Sequence, residues 1–295
     1  MKLKDIGSGI IVVILWGLNF IAIKYGLADA PPLLLGALRF LAAVFPAIFF
    51  IKRPPVPWPW LIALGLSINV GQFAFLFMGM GNGMPAGLAS LVMQSQVFFT
   101  LAIAAAVLKE RWRWYHVAGL TLAASGMLVI GLQQNTDMRP LGFWLVVGAA
   151  FSWAIGNVIT RKATQGVPPF SMLALVIWSG AVAIVPLALL SWWLEGPEAW
   201  ARAAADFSGT TALAVAYLAY AATLAGYGLW GRLLARYPAA SVSPFGLLVP
   251  IVGMSSSALI LGEGLTGGQL MGAGLVMVGL TVNVFGGGLT KQNGS

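Results

Sequence analysis

Residues 6–27 read IGSGIIVVILWGLNFIAIKYGL, and this stretch decides the class of fold. Lys24 is the one charged side chain in it. As a helix it would extend about 33 Å at 1.5 Å per residue, which is enough to cross the hydrocarbon core of a bilayer, about 30 Å thick. The stretch therefore predicts a membrane-spanning helix near the N-terminus.

The rest of the chain is apolar in the same way. Of its 295 residues, 59% are hydrophobic and 8% are charged, whereas soluble proteins carry about 25% charged residues. This composition excludes a soluble enzyme, and it excludes a disordered chain because disordered chains are poor in apolar and aromatic residues. Long unbroken apolar runs favour helices over barrel strands, which alternate in segments of about ten residues.

Nine further apolar runs follow the first, so we predict an all-α integral membrane protein with ten transmembrane helices. Short segments rich in proline, glycine and charge separate the runs, as is typical of turns. The predicted spans are approximately residues 6–27, 33–51, 60–80, 86–108, 114–132, 141–160, 170–194, 210–231, 239–261 and 266–286.

The charge pattern predicts the orientation of these spans. Cytoplasmic segments of membrane proteins carry an excess of Lys and Arg. Placing both termini in the cytoplasm puts 12 of the 16 Lys and Arg residues inside and six of the eight Asp and Glu residues outside. The net charge of +8 therefore indicates topology and not a nucleic-acid partner, for which the sequence carries no binding motif.

The two halves of the chain match each other. A shift of 137 positions aligns Trp16 with Trp153 and Pro31-Pro32 with Pro168-Pro169. A shift of 153 positions aligns Glu110 with Glu263. We therefore predict two repeats, residues 1–137 and 138–295, with five spans each. Because five is odd, the repeats would enter the membrane from opposite sides, and inverted repeats are typical of transporters with a substrate site near the membrane midplane.

Several motifs resemble those of a known family. They are Trp16 to Phe20, Pro85 to Leu91, Leu108 to Arg111 and Leu261 to Glu263. Over essentially its whole length the sequence resembles the drug/metabolite transporter superfamily, specifically its EamA-type members. Residues 72–77 and 226–231 make it most similar to bacterial exporters of amino-acid metabolites (O-acetylserine and cysteine), which are related to aromatic amino-acid exporters. The resemblance implies export of amino acids or related metabolites across the bacterial inner membrane, with drug efflux by the same fold as the alternative.

Polar and aromatic residues inside the spans are the candidates for a substrate site, because such groups are costly in a membrane unless they are satisfied. Trp16 and Asn19 lie about one helical turn apart on span 1, and Trp153 and Asn157 do so on span 6. These pairs are expected either to line the pocket or to pack between helices.

Spans 4 and 9 carry a second group of candidates. Gln94 and Gln96 are two residues apart on a helix, so we expect one of them, Gln94, to face the pocket and the other to bond a neighbouring helix. Ser243 and Pro250 lie in the equivalent part of span 9. A proline there removes a backbone donor and frees a carbonyl, which either binds a substrate amino group or only marks a kink.

The remaining candidates lie on spans 2, 3 and 8. Tyr220, Tyr227 and Trp230 form an aromatic stripe on span 8, and Gln72 belongs to a polar stripe on span 3. Such stripes indicate either helix packing or the wall of a polar cavity. Arg39 is the deepest charge, about two turns into span 2, and it is expected either to bind a substrate carboxylate or to snorkel and pair with a carbonyl.

The sequence lacks the residues that several kinds of catalysis and energy coupling require. The chain has no cysteine and one histidine, so thiol catalysis and a histidine-built metal site are not expected. It has no P-loop for ATP hydrolysis. No Asp or Glu lies in the middle of a predicted span, so facilitated transport is at least as well supported as proton coupling.

We therefore predict a transporter without catalytic residues, metal or cofactor. Its expected partners are a small-molecule substrate and membrane lipids. A site enclosed between two repeats of one chain is compatible with a monomer. An intramembrane enzyme, a channel and a sensor are weaker alternatives, because the sequence shows no catalytic cluster and no signalling domain.

Overall fold

The computed structural model describes residues 1–108, 113–132 and 139–292, with the backbone alone at 108, 239–240 and 287–292. In this part of the chain, ten helices are long and apolar enough to cross a membrane, as predicted. Numbered as spans 1 to 10, they are Leu3–Gly26, Pro32–Phe49, Trp58–Gly81, Ala86–Val107, Trp114–Leu132, Pro140–Ala163, Met172–Leu194, Gly209–Arg236, Ser241–Leu261 and Gly267–Gly286. Glu110 and the predicted boundary between residues 137 and 138 lie outside the described residues.

Proline and glycine set several of the span ends. Pro32 and Pro140 stand in the first turns of spans 2 and 6, where a helix needs no backbone N–H from that residue. Gly262 follows span 9 with a φ of 67°, a left-handed conformation that glycine adopts easily. A short surface helix, Pro197–Ala205, lies between spans 7 and 8, where the sequence predicted a loop.

The main contacts between spans join the first half of the chain to the second. Span 1 packs against spans 8 and 9, and span 6 packs against spans 3 and 4. Span 2 packs against span 7, and the first half of span 4 packs against the second half of span 9. Span 5 packs against span 10. The two halves are therefore interleaved through the bundle.

Glycine lets spans 5 and 10 approach at backbone distance. A Cβ atom on Gly119 would lie 2.7 Å from the carbonyl oxygen of Gly279, and one on Gly126 would lie 2.5 Å from that of Gly272. These distances leave no room for a side chain, and small residues of this kind allow close packing of membrane helices. We call this contact the glycine seam.

Four spans are irregular in their middle. Spans 3 and 8 contain π-helical segments at Gly65–Gln72 and Tyr217–Ala225. Span 4 tightens into a 3₁₀ turn at Met93–Ser95, and span 9 is interrupted between its segments Ala239–Gly246 and Val249–Ser256. Wide and tight turns change which side chains share a helix face and leave carbonyls to be satisfied by other donors, and they are frequent at functional sites.

Contacts between span ends define two ends of the bundle. Asp29, Glu195 and Glu263, which follow spans 1, 7 and 9, contact the starts of spans 8, 2 and 4. We call this the outer end, after the predicted orientation. At the opposite, inner end, Asp5 of span 1 lies 3.2 Å from Arg236 of span 8.

Candidate functional site

Arg39 lies near the middle of span 2 and is the centre of the candidate site. It is the eighth residue of a span that runs from Pro32 to Phe49. Its side chain is only 3% exposed. The sequence left open whether Arg39 snorkels to the membrane surface, and the structure instead encloses it within the bundle.

Three other spans hold the Arg39 guanidinium in place. Its Nη1 donates to Oδ1 of Asn19 on span 1 at 3.3 Å, and its Nη2 donates to Oγ1 of Thr223 on span 8 at 3.1 Å. The guanidinium carbon lies 4.1 Å from the ring centroid of Phe73 on span 3. Thr223 can accept this bond because its own hydroxyl donates to the carbonyl of Leu218, five residues earlier in the π-helical segment.

Within the part of the chain that the structure describes, no acid neutralises the positive charge of Arg39. Among the residues that the structure describes, no carboxylate forms an ion pair with it, and its Nε has no hydrogen-bond partner. The buried Oε1 of Gln72, on the neighbouring span 3, also has none. A buried cation with neutral partners and spare donors is costly in a membrane interior, which marks it as a functional candidate.

An aromatic cluster lies next to Arg39 on the side of the inner end. The Trp16 ring is 5.2 Å from the Tyr227 ring and 5.2 Å from the Trp230 ring, measured between centroids. The Trp16 indole donates to the carbonyl of Ala222, at 3.0 Å, within the π-helical segment of span 8. Trp16 stands one turn from Asn19, so the structure brings Trp16, Asn19, Arg39, Tyr227 and Trp230 together.

The interruption of span 9 is bound by span 4. Pro250 has no N–H to offer the carbonyl of Gly246, four residues earlier, and Nε2 of Gln94 donates to that carbonyl at 2.8 Å. The carbonyl that lacks a donor because of Pro250 is thus bonded by a side chain of another span. Binding of a substrate amino group stays a prediction, since the bond from Gln94 uses one of the two lone pairs of the carbonyl oxygen.

Both glutamines bond neighbouring helices, whereas the sequence predicted such a bond for Gln96 alone. Oε1 of Gln96 accepts a bond from Nδ2 of Asn157 on span 6 at 2.7 Å, while Gln94 bonds span 9. The 3₁₀ turn at Met93–Ser95 changes the rotation between the two side chains, a local irregularity that an ideal helical wheel does not contain. Thr100 completes this second polar group with a 3.1 Å bond from Asn157.

Three further candidates differ in how far they are buried. Tyr220 is 48% exposed, because the π-helical segment turns it away from the face that carries Thr223. Ser243 is exposed on the inner half of span 9. Trp153 is partly buried and packs against the main hydrophobic core.

The acids at the outer end were not predicted to join the two halves of the chain. Glu195 accepts bonds from the backbone N–H groups of Leu33 and Leu34, at 2.7 and 3.2 Å, at the start of span 2. Asp29 accepts bonds from the side chains of Ser208 and Thr211 at the start of span 8. No sequence signal identifies these partners, because they depend on which spans are neighbours.

Glu263 precedes span 10 in the sequence, and an acid at such a position commonly stabilises the start of the helix that follows it. Instead it accepts a bond from the N–H of Gly87, at 3.4 Å, at the start of span 4, and one from Ser257. Lys24 lies 4.0 Å from Glu263 and is otherwise exposed, as expected of a residue near the membrane surface.

Comparison with known proteins decides the family. The sequence profile of the EamA-like transporter family matches residues 4–132 and 140–285. The chain belongs to the EamA-like transporter family. As an EamA-like transporter with ten apolar spans, it is a multi-pass protein of the inner membrane and not an enzyme. The family thus confirms the predicted location and the prediction of a transporter instead of an enzyme.

Named relatives agree with this membership. Probable amino-acid metabolite efflux pumps of Salmonella typhimurium and Escherichia coli K12 are 49% and 46% identical to this EamA-like transporter over 288 residues, which is 97% of this chain and 96% of each relative. A probable terminal-alkyne amino-acid exporter of Streptantibioticus cattleyicolor is 29% identical over 66% of this chain and 64% of its own. One crystal structure covers 96% of this chain and 97% of its own with a TM-score of 0.60 at 22% identity, which shows a shared fold.

Proposed function

We propose that this EamA-like transporter exports amino acids or related small metabolites by alternating access. The observation that carries the proposal is the polar site around Arg39 in mid-membrane, to which spans from both halves of the chain contribute. The names of the two efflux-pump relatives support the substrate class. A positively charged site disfavours the alternative of cationic drug efflux.

The internal symmetry supports two inverted repeats of five spans with both termini in the cytoplasm. A shift of 153 residues relates Gly119 to Gly272 and Gly126 to Gly279, and the glycine seam pairs Gly119 with Gly279 and Gly126 with Gly272. Such crosswise pairing is what a two-fold axis between the repeats produces. The interruptions of spans 4 and 9 are related by the same shift.

The packing of spans 4 and 9 supports a conformation that is closed at the outer end. Every residue of Ala86–Val92, in the outer half of span 4, is buried, and Ser90 packs against Gly253 of span 9. In the inner halves the two spans contact different neighbours, since span 4 packs on span 6 and span 9 packs on spans 1, 8 and 10. We propose that substrate enters from the inner end and leaves when the outer halves separate.

The residues that we propose for the substrate path fall into three groups. Arg39, Asn19 and Gln72 form the deep polar site, with Trp16, Tyr227 and Trp230 as its aromatic wall. Gln94, Asn157, Ser243 and Pro250 lie where spans 4 and 9 are interrupted, and Trp153 and Tyr220 lie at the margins. The whole path lies within one chain, so a monomer suffices.

A flux assay tests the proposal. Purified protein in liposomes is loaded with each of the amino acids and with O-acetylserine in turn, and release is measured with and without a pH gradient. We expect release of at least one of these compounds. Failure to release any of them would contradict the proposed function, and an effect of the pH gradient would reveal proton coupling.

Substitutions test the assigned path. Asn19→Ala, Gln94→Ala and Asn157→Ala are each expected to slow release roughly threefold to tenfold, because hydrogen bonds between membrane helices and to substrate contribute about 1 kcal/mol. Ser125→Ala is the matched control, since Ser125 is exposed and bonds only the carbonyl of Thr121 in its own helix. If all three variants keep full flux at normal expression, the path lies elsewhere.

A further inference from the structure

We propose that Arg39 binds the carboxylate of the transported molecule and thereby restricts transport to compounds with a free carboxylate. The inference rests on the proposed transport function and adds the chemical group that the site selects. It follows from the charge, the unused donors and the position of Arg39.

The charge is the first argument. Arg39 is 97% buried and its hydrogen-bond partners, Asn19 and Thr223, are neutral. An arginine that only holds helices together in a membrane is usually paired with an acid or with backbone carbonyls. Within the described residues Arg39 has neither kind of partner, so the site keeps a net positive charge that an anion from outside the chain can neutralise.

The unused donors are the second argument. A guanidinium has five N–H donors in a fixed planar fork. Arg39 uses two of them, one to Asn19 and one to Thr223, and its Nε–H has no partner. A carboxylate accepts parallel N–H bonds from such a fork, and this geometry distinguishes it from a carboxamide, which has only one acceptor oxygen.

The fixed orientation of the guanidinium is the third argument. Asn19 of span 1 and Thr223 of span 8 each hold one of its two terminal nitrogens, and the Phe73 ring centroid lies 4.1 Å from its central carbon. These contacts leave the fork little freedom to rotate. A receptor that is already oriented loses little entropy when the ligand binds.

The surroundings fit the remainder of a small amphiphile. Oε1 of Gln72 is buried without a donor and is suited to accept a bond from an ammonium or hydroxyl group. The aromatic rings of Trp16, Tyr227 and Trp230 lie on the side of the inner end. A molecule entering from that end would meet the aromatic rings first and Arg39 at the deepest point, with its carboxylate leading.

The position of Arg39 also links binding to movement. The bond from Arg39 to Thr223 crosses from the first half of the chain to the second. A substrate carboxylate on the free donors of the guanidinium is a stronger acceptor than the Thr223 hydroxyl, and it weakens the bond to that hydroxyl. Substrate binding therefore loosens one contact between the halves. The substrate can then shift the equilibrium between the conformation closed at the outer end and the conformation open there.

The test compares an amino acid with its amide, in which a neutral carboxamide replaces the carboxylate. Liposomes carrying wild-type protein, Arg39→Gln or Arg139→Gln are loaded with radiolabelled L-cysteine kept reduced, or with L-cysteinamide, which keeps the ammonium group and lacks the carboxylate. The full set of amino acids serves as further probes in the same assay. Arg139→Gln is the matched control, because Arg139 is exposed at the start of span 6.

We expect wild-type protein to release the acid at least about tenfold faster than the amide, since a site built for a charged hydrogen-bonding group rejects an analogue that lacks it. Arg39→Gln should lose acid release by a similar factor and keep amide release within about twofold, which removes the discrimination. Arg139→Gln should behave like wild type. A structural role for Arg39 instead predicts that acid and amide release fall together in Arg39→Gln, and this result would overturn the inference.

Two further outcomes are decisive even if Arg39→Gln fails to fold. Equal release of acid and amide by the wild-type protein would overturn the carboxylate inference and leave the transport function standing. Wild-type protein that releases no amino acid of the set would overturn both. Arg39→Lys keeps the charge but not the planar fork, and partial recovery of acid selectivity in this variant would support the inference, whereas selectivity unchanged from wild type would contradict the role of the fork.

Discussion

The two halves of this transporter meet in two ways that differ in chemistry. In the glycine seam between spans 5 and 10, backbone meets backbone, and a Cβ atom on Gly126 would lie 2.5 Å from a carbonyl oxygen. In the centre of the bundle the halves meet through side-chain hydrogen bonds, such as those of Arg39 and Gln94. The seam has close packing and the centre has exchangeable polar contacts.

This difference separates a fixed contact from a movable one. Packed backbones have no alternative arrangement within reach, because any displacement opens a void or a clash. A hydrogen bond between side chains can be replaced by one to a substrate or to another side chain at little net cost. In the proposed transport cycle the glycine seam therefore stays closed, while the centre and the two ends of the bundle change their partners.

The largest expected effect comes from a methyl group in the glycine seam. Gly126→Ala places a Cβ atom 2.5 Å from the Gly272 carbonyl oxygen and 2.9 Å from the Val276 nitrogen, and neither backbone atom can rotate away. We expect a destabilisation of about 1–3 kcal/mol from overpacking, measured as a lower melting temperature in detergent.

Gly274→Ala is the matched control for this substitution. Gly274 lies on span 10, the other helix of the glycine seam, and a Cβ atom there meets nothing within 4 Å. The control should be neutral or stabilising, because alanine is the better helix former by about 1 kcal/mol. Equal melting temperatures for the two variants would mean that the seam is not tightly packed.

The second prediction concerns the contacts that close the outer end. Glu195→Ala removes the acceptor for two N–H groups at the start of span 2. We expect a loss of about 0.5–2 kcal/mol, typical of removing a side chain that caps a helix N-terminus, and a shift towards an open outer end. Glu195→Gln keeps one acceptor oxygen and should lose less.

Thiol labelling measures the opening at the outer end. The natural sequence has no cysteine, so Ala89→Cys provides a single labelling position that is fully buried in the outer half of span 4. A membrane-impermeant thiol reagent should react faster with Ala89→Cys when Glu195→Ala is also present. Unchanged labelling, together with unchanged melting, would show that Glu195 does not hold this end closed.

The third prediction tests the exchange of hydrogen bonds where span 9 is interrupted. Gln94→Ala leaves the Gly246 carbonyl without its donor and should cost about 0.6–1.7 kcal/mol, the range measured for hydrogen bonds between membrane helices. Pro250→Ala restores a backbone N–H four residues after Gly246. The double variant should therefore be more stable than the sum of the two single effects predicts, and strict additivity of the melting shifts would contradict the coupling.

The sequence was sufficient for the spans and insufficient for their irregularities. Apolar length predicted span 1 as residues 6–27, against Leu3–Gly26 in the structure, because crossing a membrane requires little more than length and hydrophobicity. It could not place Tyr220 and Thr223 on different faces, since an ideal helical period does not include the π-helical segment of span 8. The partner of Glu195 depends on which spans are neighbours, and one sequence alone does not contain that information.

The site shows the same division. Trp16 and Asn19 were predicted to share a face. Trp16 bonds the Ala222 carbonyl of span 8, and Asn19 bonds Arg39 of span 2. Gln94 and Gln96 were predicted to differ in role, and both bond neighbouring helices. Residues whose role follows from helical spacing could be predicted, whereas residues whose role depends on a local break in the helix could not.

The smallest expected effect lies at the outer end, where Asp29 contacts the start of span 8. Hydrogen bonds from Ser208 and Thr211 stabilise the ionised carboxylate and lower the pKa of Asp29 below its ordinary value of 3.8. A group whose pKa is lowered by folding contributes stability above its unfolded pKa, and the contribution disappears as the pH falls through the folded pKa. Asp29→Asn should therefore melt slightly below wild type by a constant interval between about pH 5 and pH 7, and the interval should shrink below about pH 3.8. An interval that instead grows on acidification would mean that the neutral side chain is the better partner for Ser208 and Thr211.

The two acids at the outer end should also differ in the thiol-labelling assay. Because Glu195 caps backbone N–H groups and Asp29 bonds mainly hydroxyls, Asp29→Asn should increase labelling of Ala89→Cys less than Glu195→Ala does. This result would identify the start of span 2 as the stronger of the two closures.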